Sequence, residues 1–161
     1  MENSLELVIT TSLNAWNTHI DRTNKLFNEL TDEQLQMEVS PGRNSGTYLL
    51  GHLAAVHDAM LPLLDLGEKL YPQLEPIFIR TPDKSGPEKP PAADLRTYWT
   101  KVNDTLAEHF NKLSAADWLT KHTSISEEDF KKEPHRNRLS VLMSRTNHLA
   151  SHYGQLLFLK K

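Results

Sequence analysis

Prolines are distributed very unevenly along this chain, and their positions limit where long helices can form. Seven of the nine prolines lie between residues 62 and 91. Proline lacks a backbone N–H and its ring clashes with the preceding helical turn, so a long helix cannot run through such a stretch. We predict no helix through residues 71–76 or 81–91. The stretch is then either a linker between two domains or an ordered crossover within one.

Four amphipathic patterns flank the proline-rich stretch, two on each side. Apolar residues recur every three or four positions over residues 4–30, from Asn44 or Ser45 to a stop near Gly67, over residues 93–113, and over residues 137–160. This period is typical of helices with one buried face. No segment shows the alternation of a strand. Neither half alone has an obvious complete core, so we favour the crossover. The sequence predicts one all-α domain, residues 1–161, a four-helix bundle with a long Pro-rich crossover between helices 2 and 3.

Shorter signals refine this prediction. Residues 31–34 read Thr-Asp-Glu-Gln, a capping box that predicts a short helix. Residues 114–117 read Ser-Ala-Ala-Asp and predict another short helix, extending to Trp118. Pro62 is expected to weaken or kink the second long helix. Residues 121–138 are polar, and we interpret them as a loop.

Composition excludes several classes of function. The chain has no cysteine, which removes disulfides, thiolate ligands and a cysteine nucleophile. Its net charge of −3 is not the basic footprint of a nucleic-acid-binding protein. No apolar run is long enough to span a membrane, and the acidic first residues do not resemble a signal peptide. We therefore expect a cytoplasmic protein that has neither nucleic acid nor membrane as a partner.

Three histidines are the candidate metal ligands. His148 and His152 are four residues apart, so a helix places both imidazoles on one face, where they can chelate Zn²⁺ or Ni²⁺. His52 lies at the border of the apolar face of the second long helix. Bundles build metal sites between facing helices, and a three-histidine site leaves coordination positions open, as catalytic zinc requires. Leu149 follows His148 where zinc peptidases need a glutamate, so peptidase chemistry is not expected.

Two segments also resemble a known family. They are Asn-Ser-Gly-Thr-Tyr-Leu-Leu-Gly-His-Leu at residues 44–53 and Asn-His-Leu-Ala-Ser-His-Tyr-Gly-Gln-Leu at residues 147–156. In order, separation and chain length they resemble the DinB-like metal-binding four-helix bundles. The resemblance implies that His52, His148 and His152 are metal ligands. It also implies kinship with bacillithiol S-transferases and mycothiol-dependent isomerases, which use low-molecular-weight thiols.

The expected function follows from the site and the resemblance together. We expect a divalent metal, zinc or nickel, and transfer of a thiol to an electrophilic small molecule. A metal-dependent hydrolase and a non-catalytic metal-binding stress-response protein are the alternatives. Arg145 lies on the same flank as the two helix histidines and could pair with a substrate carboxylate. A solvated helix arginine explains it as well.

A homodimer is the expected assembly. Members of the resembling family are often dimers, and two-fold pairing is the commonest arrangement of soluble oligomers. Apolar residues on the first two long helices make stripes wider than one bundle core requires: Leu7, Val8, Ile9, Leu13, Leu49, Leu50, Leu63 and Leu64. Alternatively, the crossover covers the extra surface through Ile77, Phe78 and Ile79.

Overall fold

The computed structural model describes residues 2–160 and the side chains of residues 4–160. Met1 and Lys161, the two ends of the predicted domain, lie outside the described residues. Within these bounds no β-strand forms, which confirms the all-α class. The long helices are α1 (Glu2–Glu29), α3 (Gly46–Asp58), α6 (Ala92–Phe110) and α9 (Arg138–Leu156). The short ones are α2 (Asp32–Gln36), α4 (Met60–Leu63), α5 (Leu74–Phe78), α7 (Ala115–Trp118) and α8 (Glu127–Lys132), and a 3₁₀ turn covers Leu157–Leu159.

Side-chain caps begin the helices at the expected positions. Thr31 and Ser114 form capping boxes at α2 and α7, each accepting a hydrogen bond from the third backbone N–H of its helix. The hydroxyl of Ser45 accepts a hydrogen bond from the Tyr48 amide at the start of α3. These bonds satisfy amides that a helix leaves without an internal partner at its N-terminus. The predicted starts of these helices are therefore confirmed.

Two hydrophobic clusters show how the long helices run. One cluster contains the last turns of α1 and α9 and the first turns of α3 and α6. The other contains the opposite ends of α1, α6 and α9, together with α4, which follows the C-terminal end of α3. Thus α1 and α9 run in one direction, and α3 and α6 run in the other. The closest helix pairs are α3 with α6 and α1 with α9, and α3 also packs on α9 and α5.

In the described part of the chain, no helix combines the length and the apolar content needed to cross a bilayer.

Two predictions about local structure were wrong. Helix α5 includes Pro76, although we expected no helix there, and α8 forms within the polar stretch expected to be a loop. Pro76 is the third residue of α5, where an amide would lack an intrahelical partner anyway, so its missing N–H costs little. Pro62 occupies the same position in α4, after the long helix ends at Asp58. Pro62 and Pro76 thus keep α4 and α5 short but do not prevent these helices from forming.

A polar pair lies in the middle of the apolar interior. His57 on α3 has no exposed surface, and its Nδ1–H donates to Oδ1 of Asn103 on α6 over 2.8 Å. Trp16 and Trp99 flank the imidazole, with ring centroids 4.8 and 5.0 Å away. Burial lowers the pKa of His57 to about 3, and the hydrogen bond to Asn103 opposes this shift without cancelling it. His57 therefore stays neutral at physiological pH.

The burial of His57 predicts how stability depends on pH. The unfolded histidine takes up a proton near pH 6.5, whereas the folded one resists protonation down to about pH 3. The contribution of neutral His57 to the free energy of unfolding is complete above pH 6.5. It is lost as the pH falls through this window, by about 2 kcal/mol at pH 5. We expect urea unfolding of the metal-free protein to show this loss. The His57→Gln variant should lose less free energy of unfolding on acidification. His135→Gln, at an exposed site, is the control, and equal slopes for all three proteins would contradict the prediction.

Candidate metal centre

The structure brings the three histidines named from the sequence to one place. His52 comes from α3, and His148 and His152 come from successive turns of α9; all three side chains are half-buried. The Nε2 atom of His148 lies 3.1 Å from Nε2 of His52 and 3.1 Å from Nε2 of His152. The three potential ligand atoms all lie within 4.8 Å of one another. The imidazoles therefore point inward at a common centre.

A backbone carbonyl sets the protonation of His52. Its Nδ1 lies 2.7 Å from the carbonyl oxygen of Phe78, at the end of α5. A carbonyl oxygen can only accept, so Nδ1 carries the proton and donates it. Burial lowers the pKa of His52, which favours the neutral ring. The lone pair of neutral His52 is therefore on Nε2, the atom that faces the centre.

A side-chain amide sets the protonation of His152. Nδ1 of His152 lies 2.8 Å from Oε1 of Gln155, three residues further along α9. The amide oxygen accepts the Nδ1 proton, which leaves the Nε2 lone pair directed at the centre. Outer hydrogen bonds of this kind orient ligating histidines and increase their basicity.

His148 lies between the other two imidazoles. Burial lowers its pKa to about 4, and the nearby charges of His152 and His52 act in the same direction. Within the described residues, its Nδ1 atom is buried and has no hydrogen-bond partner. One proton on Nε2 of His148 could serve only one of its two 3.1 Å contacts. The three rings therefore cannot satisfy one another by hydrogen bonding alone.

A divalent metal ion fits this set of donors. Three neutral imidazoles are typical ligands of zinc and of nickel. Two nitrogens bound to one tetrahedral zinc ion at the usual bond lengths are about 3.3 Å apart. The observed separations of 3.1 Å are close to that value. A cation at the centre would also accept all three lone pairs at once, which a shared proton cannot do.

The proline-rich stretch reaches the site because Gly51 has no side chain. A Cβ atom on Gly51 would lie 2.3 Å from the ring of Phe78, which has no exposed surface and cannot move aside freely. The bare helix surface at Gly51 thus lets Phe78 pack closely against α3. This contact places the Phe78 carbonyl beside His52, the next residue of that helix.

Further contacts hold the proline-rich stretch on the start of α3. The Tyr48 hydroxyl donates to the carbonyl of Thr81 over 2.8 Å, and its ring lies parallel to that of His52. A carboxylate oxygen of Asp83 accepts a hydrogen bond from the Ser45 amide over 2.7 Å. The segment after α5 is therefore bonded to the first turn of the helix that carries His52.

A cavity adjoins the site at Gln155. It has a volume of about 570 Å³ and lies between the loop before α3 and the C-terminal part of α9. Its lining residues are Val39, Ser40, Gly42, Arg43, Asn44, Gln155 and Phe158. The same Gln155 accepts the hydrogen bond from His152. The cavity therefore reaches the outer hydrogen-bond partner of His152, although none of the three histidines is among its lining residues.

Two groups of this site were not assigned a role from the sequence. Gln155 was visible as the residue three positions after His152, a spacing that brings side chains together on a helix. The Phe78 carbonyl had no such signal, because a backbone acceptor is the same in every residue. The only hint was Gly51 directly before His52, since a glycine inside a helix often permits close approach of another element.

Comparison with known proteins agrees with this geometry. The family model described as DinB superfamily matches residues 15–156, a range that includes all three histidines. The chain therefore belongs to the DinB superfamily. No curated protein matches the sequence.

Gly51 and Gly154, two of the glycines in helices, allow a matched test of the outer hydrogen bond to His52. Gly51→Ala adds a methyl group against Phe78, and we expect it to cost about 1–3 kcal/mol of stability by overpacking. Displacing the Phe78 carbonyl should also weaken metal affinity by about tenfold or more. The measurements are urea unfolding of the metal-free variant and metal competition with a chelator.

Gly154→Ala is the control, because nothing lies within 4 Å of a Cβ atom at that position. The added methyl group there should stabilise α9 by up to about 1 kcal/mol through helix propensity. Metal affinity should stay unchanged. Equal changes of stability and of metal affinity in Gly51→Ala and Gly154→Ala would contradict the proposed role of Gly51.

Proposed function

We propose that this protein is a metal-dependent enzyme of the DinB superfamily that transfers a low-molecular-weight thiol to an electrophilic small molecule. His52, His148 and His152 would hold one divalent ion, zinc or nickel. The observation that carries the proposal is the convergence of their Nε2 atoms, with two of the three lone pairs fixed by outer hydrogen bonds. A bound divalent cation would act as a Lewis acid and lower the pKa of a thiol or water held beside it.

The protein's own groups prepare the centre for such chemistry. The Phe78 carbonyl and Gln155 keep His52 and His152 in the tautomer that presents Nε2. Burial keeps His148 neutral, so protons compete poorly for its ligand nitrogen near pH 7. Three protein ligands leave at least one coordination position for a reactant, which distinguishes catalytic from structural zinc sites. The cavity that reaches Gln155 has a volume of about 570 Å³, a size typical for small-molecule binding.

The architecture we propose is a single four-helix bundle over residues 1–161, with residues 62–91 as the crossover between α3 and α6. Two observations support it. Both hydrophobic clusters contain residues of α1, α6 and α9, joined by α3 in one cluster and by α4 in the other, so both halves of the chain share one interior. The helices α3 and α6 also run in the same direction, and two parallel neighbours need a long connection to return the chain to the starting end.

One experiment tests the metal and the reaction together. We expect metal analysis of the purified protein to find close to one zinc or nickel per chain, and monochlorobimane with cysteine to be turned over above the uncatalysed rate. His148→Ala should remain folded by circular dichroism, because the two hydrophobic clusters do not depend on the metal. It should lose metal affinity and turnover by more than about 100-fold, since even outer-partner mutations cost up to that much.

His135→Ala, at an exposed position, controls for the general loss of a histidine. Stoichiometric metal without turnover of any thiol would favour a non-catalytic metal-binding protein. Ester hydrolysis that needs no thiol would favour a hydrolase. Retention of stoichiometric metal by His148→Ala would contradict the site itself.

We propose further that the protein is a homodimer that pairs through α1 and α9. Leu7 and Val8 on α1 are 66% and 52% exposed, and Met143 on α9 is 53% exposed. An apolar surface of this kind often marks an interface. By contrast Leu49, Leu50 and Leu64, which we also considered for pairing, are wholly buried within the chain. Light scattering at micromolar concentration should give twice the mass of one chain; the mass of a single chain would overturn the dimer.

A further inference from the structure

Arg145 is a half-buried cation that has no carboxylate partner among the described residues. Its Nε atom is buried and makes no hydrogen bond, and no acidic group lies within ion-pair distance of its guanidinium in residues 4–160. By comparison, Arg96 on α6 donates to backbone carbonyls at the end of α1 and to Asp32. Burying a charge without a partner costs free energy, so an isolated half-buried guanidinium calls for an explanation.

The helix geometry puts Arg145 beside the three-histidine centre. Positions 145, 148 and 152 are spaced i, i+3 and i+7, so they form one stripe along α9. The helices α3 and α9 are antiparallel, because Gly46 contacts Leu159 whereas His52 contacts His148. Arg145 therefore lies one turn from His148, toward the C-terminal end of α3. Its positive charge contributes to the lowered pKa of both His52 and His148, which agrees with this proximity.

No acidic residue of the two site helices is free to neutralise Arg145. The segment Arg138–Leu156 contains no aspartate and no glutamate. The one acidic residue of α3 is Asp58, which is buried and whose two oxygens accept hydrogen bonds from the amides of Leu70 and Tyr71, each over 2.8 Å. A divalent cation on the histidines would add further positive charge. The site is thus electrostatically prepared for an anion.

We propose that Arg145 is a specificity-determining residue that binds the carboxylate of the small molecule taken up at the three-histidine centre. The planar guanidinium offers paired N–H donors that match the two oxygens of a carboxylate. This inference rests on the proposed metal-dependent function and adds the chemical class of its substrate. One reactant, the thiol or the electrophile, is a carboxylic acid whose anionic group lies one helical turn from the reacting atom.

Calorimetric titration of two matched probes tests the inference without relying on activity. The probes are 3-mercaptopropionate and its neutral amide, 3-mercaptopropionamide, titrated into the metal-loaded protein. We expect the wild type to bind the acid about tenfold more tightly than the amide, the gain typical of charge-assisted hydrogen bonds. Arg145→Gln should reduce this ratio to about twofold or less while leaving the affinity for the amide nearly unchanged. A purely structural arginine would not alter the ratio.

Arg22→Gln removes an exposed arginine from α1 and is the matched control, which should keep the wild-type ratio. No preference for the acid in the wild type, or an unchanged ratio in Arg145→Gln, overturns the inference. If Arg145→Gln does not fold, Arg145→Lys decides, because lysine keeps the charge but lacks the planar pair of donors. An unchanged ratio in Arg145→Lys then overturns the inference.

If the proposed metal-dependent function is wrong, the titrations give a different result from failure of the Arg145 inference. The protein would then bind no stoichiometric metal, or neither thiol probe would bind. In either case propionate and propionamide, titrated into the same set of proteins, decide the role of Arg145 separately. Preference for propionate that disappears in Arg145→Gln supports the inference, and equal affinity for the two overturns it.

Discussion

The hydrogen bond from Nδ1 of His52 to the Phe78 carbonyl links the fold to the site. It needs Phe78 to lie against α3, and Phe78 can do so because Gly51 has no side chain. It also needs the end of α5 to be held in place, which the Tyr48 hydroxyl and the burial of Phe78 achieve. The proline-rich stretch therefore does more than connect two helices. It supplies the acceptor that directs the lone pair of His52 to the common centre.

The long helices were predictable because each has a repeating apolar face that the interior buries. Helix α8 was missed for the opposite reason: none of its residues is buried, so it has no apolar period. Its only signals were local, a capping serine at position 126, acidic residues in the first turn and lysines in the last. Helix α5 was missed because we treated Pro76 as a breaker without considering that a first-turn proline removes no helical hydrogen bond.

The candidate metal ligands could also be predicted from the sequence, whereas the groups around them could not. Spacing placed His148 and His152 on one face, and periodicity placed His52 at the edge of another. The missing partner of Arg145 could not be seen in one dimension, because it depends on where Asp58 points. Asp58 belongs to α3, one of the two site helices, but its carboxylate accepts hydrogen bonds from the amides of Leu70 and Tyr71. Charge balance at a site is a property of the packed structure.

His57 and the three histidines of the centre illustrate opposite uses of the same side chain. His57 has its Nδ1 proton bound by Asn103 and two indole rings around it, so it fills a core position as a neutral ring. The histidines of the centre instead bring three Nε2 atoms together, and the outer hydrogen bonds of His52 and His152 direct two lone pairs at one point. Lone pairs directed at one point repel unless a cation lies between them. This contrast is the physical basis for assigning the metal to His52, His148 and His152 and not to His57.

The central claim is that three imidazole nitrogens share one metal ion, and X-ray absorption spectroscopy of the metal-loaded protein tests it most directly. For zinc, the account predicts a first shell that includes three nitrogen scatterers at about 2.0–2.1 Å, with the outer-shell features of three imidazole rings. A shell of oxygen ligands, or one with a single imidazole, would contradict it. Such a result would mean that the three histidines converge without forming the metal site on which the proposed chemistry depends.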